Sequence, residues 1–317
     1  MKLGFWKKLK KPIFSLAPMA DVTDSAFRQT ILKFGRPAVF FTWFVSADGL
    51  ASAGKKNLLR DLSFVEKERP LVAQIFGANP ENFSAAVKII KNLGFDGIDI
   101  NMGCPEKKIM KQGAGAALID NSRLAKKIIS AALSVSGRLP VSVKTRLGNK
   151  AISSSWIKSL AKTGIAALTI HGRLAKDDSK YPADWNEIKK AAALAKKINP
   201  RLLVFGNGDV KNLAEAKIKA ELYHLDGIML GRAVFGNPWL FNEKIKKENL
   251  PPEKIVQALL EHLRLFKKYH SYKNPALMKK HFGAYVSGWP KAKNLRIKLM
   301  RTKTLAEAET ILRNFSS

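Results

Sequence analysis

Short apolar runs alternate with longer amphipathic stretches along most of this chain, and that alternation restricts its possible folds more than any other feature. Eight such runs occur, at residues 13–17, 38–42, 71–76, 97–101, 141–146, 167–171, 202–206 and 227–230. Each reads as a parallel strand buried on both faces. The segments 81–93, 122–136, 156–162, 187–197 and 213–220 between them carry helical spacing, with Asn, Asp or Ser near several starts. Parallel neighbours need a crossover, so strand and helix alternating eight times point to the α/β class and to a (β/α)8 TIM barrel. A doubly wound open sheet shares the alternation, and the count favours the closed form.

The strand pattern stops after Phe241, and Pro251-Pro252 interrupts the chain. The remainder reads as helices with repeated Leu, Ile and aromatic positions. A chain of 317 residues exceeds the size at which one core usually stops growing. The expected organisation is therefore a catalytic barrel over residues 1–245 and a small C-terminal helical domain over 251–317.

Charge separates the two parts. Lys and Arg number 56 against 25 Asp and Glu, a formal charge of +31, which suits a polyanionic partner such as nucleic acid. Residues 263–306 hold twelve Lys and Arg and no Asp or Glu, interleaved with Phe266, Tyr269, Tyr272, Phe282, Tyr285 and Trp289. Basic residues among aromatics fit phosphate contacts and base packing. Most of these aromatics are expected in the domain core, since aromatics at helical spacing usually are, and the basic face is left to meet the polyanion. The basic segment 1–11 and the apolar run 13–17 imitate a secretory signal, but the run is too short for one, and no stretch approaches a membrane span. The chain is expected to be soluble and cytoplasmic, monomeric, and without a membrane or metal partner.

In a parallel barrel chemistry sits at the C-terminal strand ends. Polar and reactive residues gather there: Gln74 on the third strand, Asn101 and Cys104 after the fourth, Lys144 and Arg146 on the fifth, His171 on the sixth. The seventh strand ends in Asn207-Gly208-Asp209 and the eighth in Gly231-Arg232. Glycines in those last two loops let backbone N–H groups approach an anion, so a phosphorylated cofactor is expected there. Lys144 reads either as half of a buried ion pair with Asp99 or as a fixed cation beside the pyrimidine edge of a flavin, and the second is preferred.

Cys104 is the single cysteine, which excludes an internal disulfide or a multi-cysteine zinc site. It reads as a small buried hydrophobe, a nucleophile or an acid. Gly103 and Pro105 set it on a turn beyond a strand end. A thiol of pKa about 8.5 is mostly protonated at neutral pH, which favours the acid.

The motifs Ala17-Pro18-Met19-Ala20, Asp99-Ile100-Asn101-Met102-Gly103-Cys104-Pro105, Lys144-Thr145-Arg146, His171-Gly172-Arg173 and Asn207-Gly208-Asp209 resemble those of the tRNA-dihydrouridine synthases, and among these the bacterial B-type branch. The similarity extends through Asn237-Pro238-Trp239 to Lys279-Lys280-His281-Phe282. It implies an oxidoreductase in which NADPH (or NADH) reduces FMN, flavin N5 passes hydride to C6 of a tRNA uridine, and Cys104 protonates C5. It also implies that Pro18, Met19, Ala20, Gln74, Lys144, His171, Asn207, Gly208, Asp209, Gly231 and Arg232 bind the flavin. Asn101, Arg146, Lys279 and Lys280 are implied to meet the substrate. Trp43, Asn149 and Leu174 depart from the family pattern on the substrate side. Two rival readings are a tRNA-binding, chaperone-like protein without catalysis, and a flavin reductase of a free pyrimidine or enone.

Overall fold

The computed structural model describes residues 1–177 and 180–316. They fall into two compact units, Met1–Ala20 with Ala38–Gly231, and Asp21–Pro37 with Arg232–Ser317. The division differs from the expected 1–245 and 251–317. Residues 21–37, which follow the first strand, and residues 232–245 both pack with the C-terminal helices. Helical periodicity marks an apolar face without saying which core receives it.

The first unit contains eight parallel strands: β1 (Ile13–Leu16), β2 (Phe40–Ser46), β3 (Leu71–Phe76), β4 (Gly97–Met102), β5 (Val141–Gly148), β6 (Ala167–Leu174), β7 (Leu203–Asn207) and β8 (Gly227–Leu230). All eight overlap the apolar runs, with β2 beginning two residues later than expected and running on to Ser46. Their order is β1-β8-β7-β6-β5-β4-β3-β2, each beside its sequence neighbour. The ring is joined between its ends by a parallel bridge of Ser15 with Val39, and by bonds from Leu16 N to Val39 O and from Ala38 N to Phe14 O. An open doubly wound sheet reverses its strand order midway, and this one does not.

The covering helices start where short polar side chains can hold their first N–H groups. Asn79, Asn121, Ser153, Asp184 and Asn212 each accept from a backbone N–H in the first turn of Pro80–Asn92, Ser122–Val135, Ser154–Ala161, Trp185–Ile198 and Leu213–Leu222. Each such cap is worth about 1 kcal/mol. Phe83, Ala86, Val87 and Ile90 show how one helix then buries a stripe at helical spacing.

The basic N-terminal segment stoppers the barrel. Its 3-10 turn Gly4–Lys8 buries Trp6 in a cluster with Ile13, Val39, Phe41, Val72, Ala167, Phe205 and Met229, most of them in the first half of their strands. The Trp6 and Phe205 rings lie 5.3 Å apart, within the range of favourable aromatic pairs. With that end filled by apolar side chains, polar side chains are left to the opposite end.

In the second unit the helix Ser25–Phe34 packs with Pro252–His270, Lys279–Tyr285, Ala292–Arg301 and Leu305–Ser316 around one apolar cluster. Phe266, Phe282 and Tyr285 are buried in it and Trp289 packs against it, whereas Tyr272 is exposed. Nine of the twelve basic residues in 263–306 are exposed. The expected separation of aromatic core from basic surface therefore holds. No helix among the described residues is long and apolar enough to cross a membrane.

Candidate active site

Strand register decides which side chains meet. Side chains on one face recur every second residue, and paired strands keep that phase. Gln74 pairs with Asp99, and Asp99 with Ser142. Two residues further along, Asn101 pairs with Lys144, and two further still Arg146 pairs with His171 and His171 with Asn207. All these positions share one phase, so the ring carries them on one face.

Hydrogen bonds tie the face into a chain. Gln74 Nε2 donates to Asp99 Oδ2 at 2.6 Å, and Ser142 Oγ donates to Asp99 Oδ1 at 2.5 Å. Asn101 Nδ2 donates to Gln74 Oε1 at 3.0 Å. Its own Oδ1 accepts from Gly103 N at 3.1 Å and Cys104 N at 3.0 Å. Asn101 thus folds the residues after β4 into an Asx-type turn and fixes where the cysteine begins. The Asp99 oxygens are occupied by Gln74 and Ser142 and not by Lys144, against the simple ion-pair reading of that lysine. Burial pushes the Asp99 carboxyl up to about 6 despite those two hydrogen bonds.

Lys144 carries a charge under strain. Loss of solvent and, after it, the Arg146 guanidinium pull its ammonium down to about 8, more than Asp99 holds it up. Arg146 is spent on backbone: Nε donates to Gly103 O at 2.8 Å and Nη1 to Leu174 O at 2.8 Å. It ties the cysteine turn to the end of β6, a role its expected place at the substrate did not include.

Cys104 is partly exposed. Burial raises its thiol pKa above the ordinary value, and the Glu106 charge adds to that, while the Glu106 backbone, Arg146 and Lys144 oppose it. The net direction keeps the proton on sulfur at neutral pH, as an acid requires. Behind it, Gly115 adopts φ +61°, and a Cβ there would stand 2.7 Å from Cys104 O. Ala116 N donates to the same carbonyl at 2.9 Å. Only glycine permits both the left-handed backbone and that approach.

On the far side of the ring, Asn207 Nδ2 donates to Met229 O at 2.8 Å. Gly208 has φ +128°, and a Cβ there would lie 2.6 Å from Ala183 Cβ and 3.1 Å from His171 Cδ2. Asp209 Oδ2 accepts from Ala183 N at 2.8 Å and from Arg173 Nη2 at 2.6 Å. Arg173, buried, also donates from Nε to Tyr181 O at 2.5 Å, and its Nη1 lies 3.1 Å from His171 Nε2. In the sequence Arg173 is only the last residue of the His171-Gly172-Arg173 motif, with no expected place in the site. Its phase, two residues beyond His171 on the same strand, was the available signal.

Pro18, Met19 and Ala20 follow β1, where a Cβ added to Gly231 would stand 3.5 Å from Ala17 Cβ and 3.7 Å from Met19 Sδ. Arg232, Lys279 and Lys280 belong to the second unit. Arg232 opens the turn Arg232–Val234, Lys279 is half-buried and Lys280 is exposed. Of the family departures, Trp43 is buried on β2, and Asn149 Nδ2 donates to Asp120 Oδ2.

A closed parallel barrel with a polar, connected strand-end face defines the class, and the solved structure of morphinone reductase shares the fold, with a TM-score of 0.51 at 14% identity over 76% of this chain and 86% of that one. The family model described as dihydrouridine synthase matches residues 15–317. A probable tRNA-dihydrouridine synthase of Staphylococcus aureus (strain COL) is 39% identical over 322 residues, covering 100% of this chain and 97% of the relative. Probable tRNA-dihydrouridine synthase 2 of Bacillus subtilis (strain 168) is 39% identical over 323 residues, covering 99% and 97%. The chain belongs to the dihydrouridine synthase family, and with it to the oxidoreductases.

Proposed function

We propose that this protein is a tRNA-dihydrouridine synthase that reduces the C5=C6 bond of uridines in tRNA, with FMN as resident cofactor and NADPH or NADH as reductant. The observation that carries the reading is Asn101, which joins the Gln74–Asp99 pair to the Cys104 turn while standing beside Lys144 in register. The donor set suits a flavin. Gln74, Asn101 and Lys144 offer amide and ammonium groups of the kind that a pyrimidine edge accepts, and a fixed cation stabilises the charge of a reduced flavin. The turn at Gly208, where a side chain would collide with Ala183, suits a ribityl or phosphate group approaching backbone.

Pro18, Met19, Ala20, Gln74, Lys144, His171, Asn207, Gly208, Asp209 and Gly231 are proposed to hold the cofactor. Asp209 contributes through its backbone and through Arg173, since a carboxylate repels a phosphate. For Arg232 the support is its place next to Gly231 in the chain. FMN, when bound, supplies the hydride that C6 receives. Cys104 holds at Sγ the proton that C5 receives, and its raised pKa keeps that proton in place until it is needed. Asn101 fixes the turn that carries the thiol. Arg146 acts on the same turn through the Gly103 carbonyl.

The exposed lysines and arginines of residues 263–306, with Lys279 and Lys280 among them, are proposed to bind tRNA phosphates. Extruding a uridine from folded tRNA costs roughly a few kcal/mol, which phosphate contacts offset. A lone cysteine kept as a thiol suits a reducing cytoplasm.

Reconstitution tests the proposal. Purified protein incubated with FMN is expected to turn yellow, and NADPH to bleach the colour. Protein that stays colourless after reconstitution would favour a tRNA-binding protein without catalysis. Bleached protein that reduces a free pyrimidine and leaves tRNA untouched would favour the small-molecule reductase.

A further inference from the structure

The proposal that Cys104 is the acid leaves open what His171 does, since a half-buried imidazole beside the same site is the usual proton carrier at neutral pH. The answer lies in the residue that touches it. Arg173 Nη1 is 3.1 Å from His171 Nε2. A guanidinium has donors and no acceptor, and it does not deprotonate in proteins. The hydrogen bond can therefore run in one direction only, from arginine to imidazole, and Nε2 must present its lone pair.

The arginine is not free to turn away. Its Nη2 is paired with Asp209 Oδ2 at 2.6 Å and its Nε with the Tyr181 carbonyl at 2.5 Å, in a side chain 4% exposed. Asp209 is itself held by the Ala183 N–H, and Gly208 lets the loop after β7 lie against the Cδ2 edge of the ring. Among the described residues, charged groups near His171 include Arg173 on its own strand, Arg146 beside it on β5, with Asp177 acting on that arginine, and Asp209 after β7, while neutral Asn207 lies beside it on β7. Arg173 and Arg146 are permanent cations, which oppose an imidazolium.

We infer that Arg173 is a positioning residue for His171, which holds that imidazole neutral with its proton on Nδ1. This rests on the reading of the strand-end face as a flavin and uracil site. The ring then serves as a fixed N–H donor, able to hold a carbonyl or ring-nitrogen acceptor of cofactor or base and unable to deliver a proton from Nε2. Two cationic neighbours, one of them the donor to Nε2, leave proton delivery to Cys104.

Histidine tautomers are read directly from two-bond nitrogen–proton correlations in full-length protein labelled with 15N-histidine. The chain has five histidines, and the His171 signal is identified by its loss in His171→Phe. The expected result is the Nδ1–H pattern at neutral pH. Arg173→Met is expected to release the ring to the commoner Nε2–H form. Arg173→Lys, which keeps a donor and a charge, is expected to restore the Nδ1–H pattern at least in part.

A wild-type ring in the Nε2–H form, an imidazolium above pH 6.5, or an Arg173→Met spectrum like that of the wild type would each overturn the inference. If Arg173→Met fails to fold, the wild-type spectrum decides alone. No tRNA or cofactor enters the measurement, so its outcome is independent of whether the chain reduces uridines.

Discussion

Asn101 is the residue on which the site turns. Its side chain satisfies Gln74 on one side and two backbone N–H groups on the other, all at buried or half-buried positions. Asn101→Ala leaves those groups unpaired, at a cost of about 1–3 kcal/mol for each group that stays dry. The urea midpoint is expected to drop, and turnover on tRNA to fall further than the loss of folded protein explains. Lys144 gives a residue-scale pH dependence. Its ammonium, pulled down to about 8, is present below that pH and lost above it. FMN affinity is expected to weaken as pH rises through about 8, and in Lys144→Met to be weak and flat over the same range. Equilibrium titration of FMN fluorescence at several pH values measures both. The reactive types at these positions were legible in the sequence, because strand ends of a parallel barrel are where such residues act. The roles of Arg146 and Arg173 were not, because both act through backbone carbonyls or a neighbouring ring, and only coordinates show which partner a long side chain reaches.

At the scale of elements, two features carry separate consequences. Gly115 stands in a left-handed conformation against the carbonyl of Cys104. Gly115→Ala adds a Cβ where 2.7 Å is available, so the turn must shift. A backbone strain of about 1–2 kcal/mol is expected. Yellow protein that binds FMN normally and has lost most uridine reduction is the predicted phenotype, checked by absorbance and by dihydrouridine content of the tRNA. The second feature is the buried histidine pair of the C-terminal unit. His262 and His281 pack with ring centroids 4.5 Å apart, beside Phe27, and both nitrogens of His262 are without hydrogen-bond partners among the described residues. Burial holds His262 well below 6.5, and burial with the Lys280 charge holds His281 at about 3.

Protons therefore bind the unfolded chain more readily below pH 6.5, and stability falls as pH falls, by up to about 1.4 kcal/mol per pH unit for each ring. Asp24 acts the other way. Burial raises its carboxyl from 3.8 to about 6, so its favourable contribution is complete below 3.8 and is lost as pH rises through about 6. Two rings outweigh one carboxyl, and unfolding of this unit is expected at lower urea at pH 5 than at pH 7. His281→Phe should reduce that difference, as followed by circular dichroism. Helical spacing revealed these helices as elements, yet it could not assign Ser25–Phe34 to the C-terminal unit, because an amphipathic stripe does not name its partner. The N-terminal segment was harder still: basic residues followed by a short apolar run resemble a leader, and only packing shows Trp6 inside the barrel.

For the whole molecule, eight strands in consecutive order, joined between the first and second, are what the alternation of apolar runs had indicated. The fold was legible because a buried parallel strand must be apolar on both faces, a signal that survives without knowledge of its neighbours. Charge is the other property of the whole chain, +31 with nine exposed basic residues in 263–306. Replacing Lys291, Lys293 and Lys298 by Gln is expected to weaken tRNA binding and to flatten its salt dependence, since each lost phosphate contact lowers the slope of log affinity against log salt by about 0.7–0.9. Filter binding between low and moderate salt reads that slope. An unchanged slope would take those lysines out of the RNA surface. The proposed function comes down to one reaction, the transfer of hydride and of the Cys104 proton to a tRNA uridine. Its most direct measurement is mass spectrometry of unmodified tRNA after incubation with FMN-loaded protein and NADPH. Wild-type protein is predicted to add two hydrogens at discrete uridines, and Cys104→Ala, with FMN and tRNA still bound, to add almost none; equal dihydrouridine from both proteins, or none from either, would contradict it.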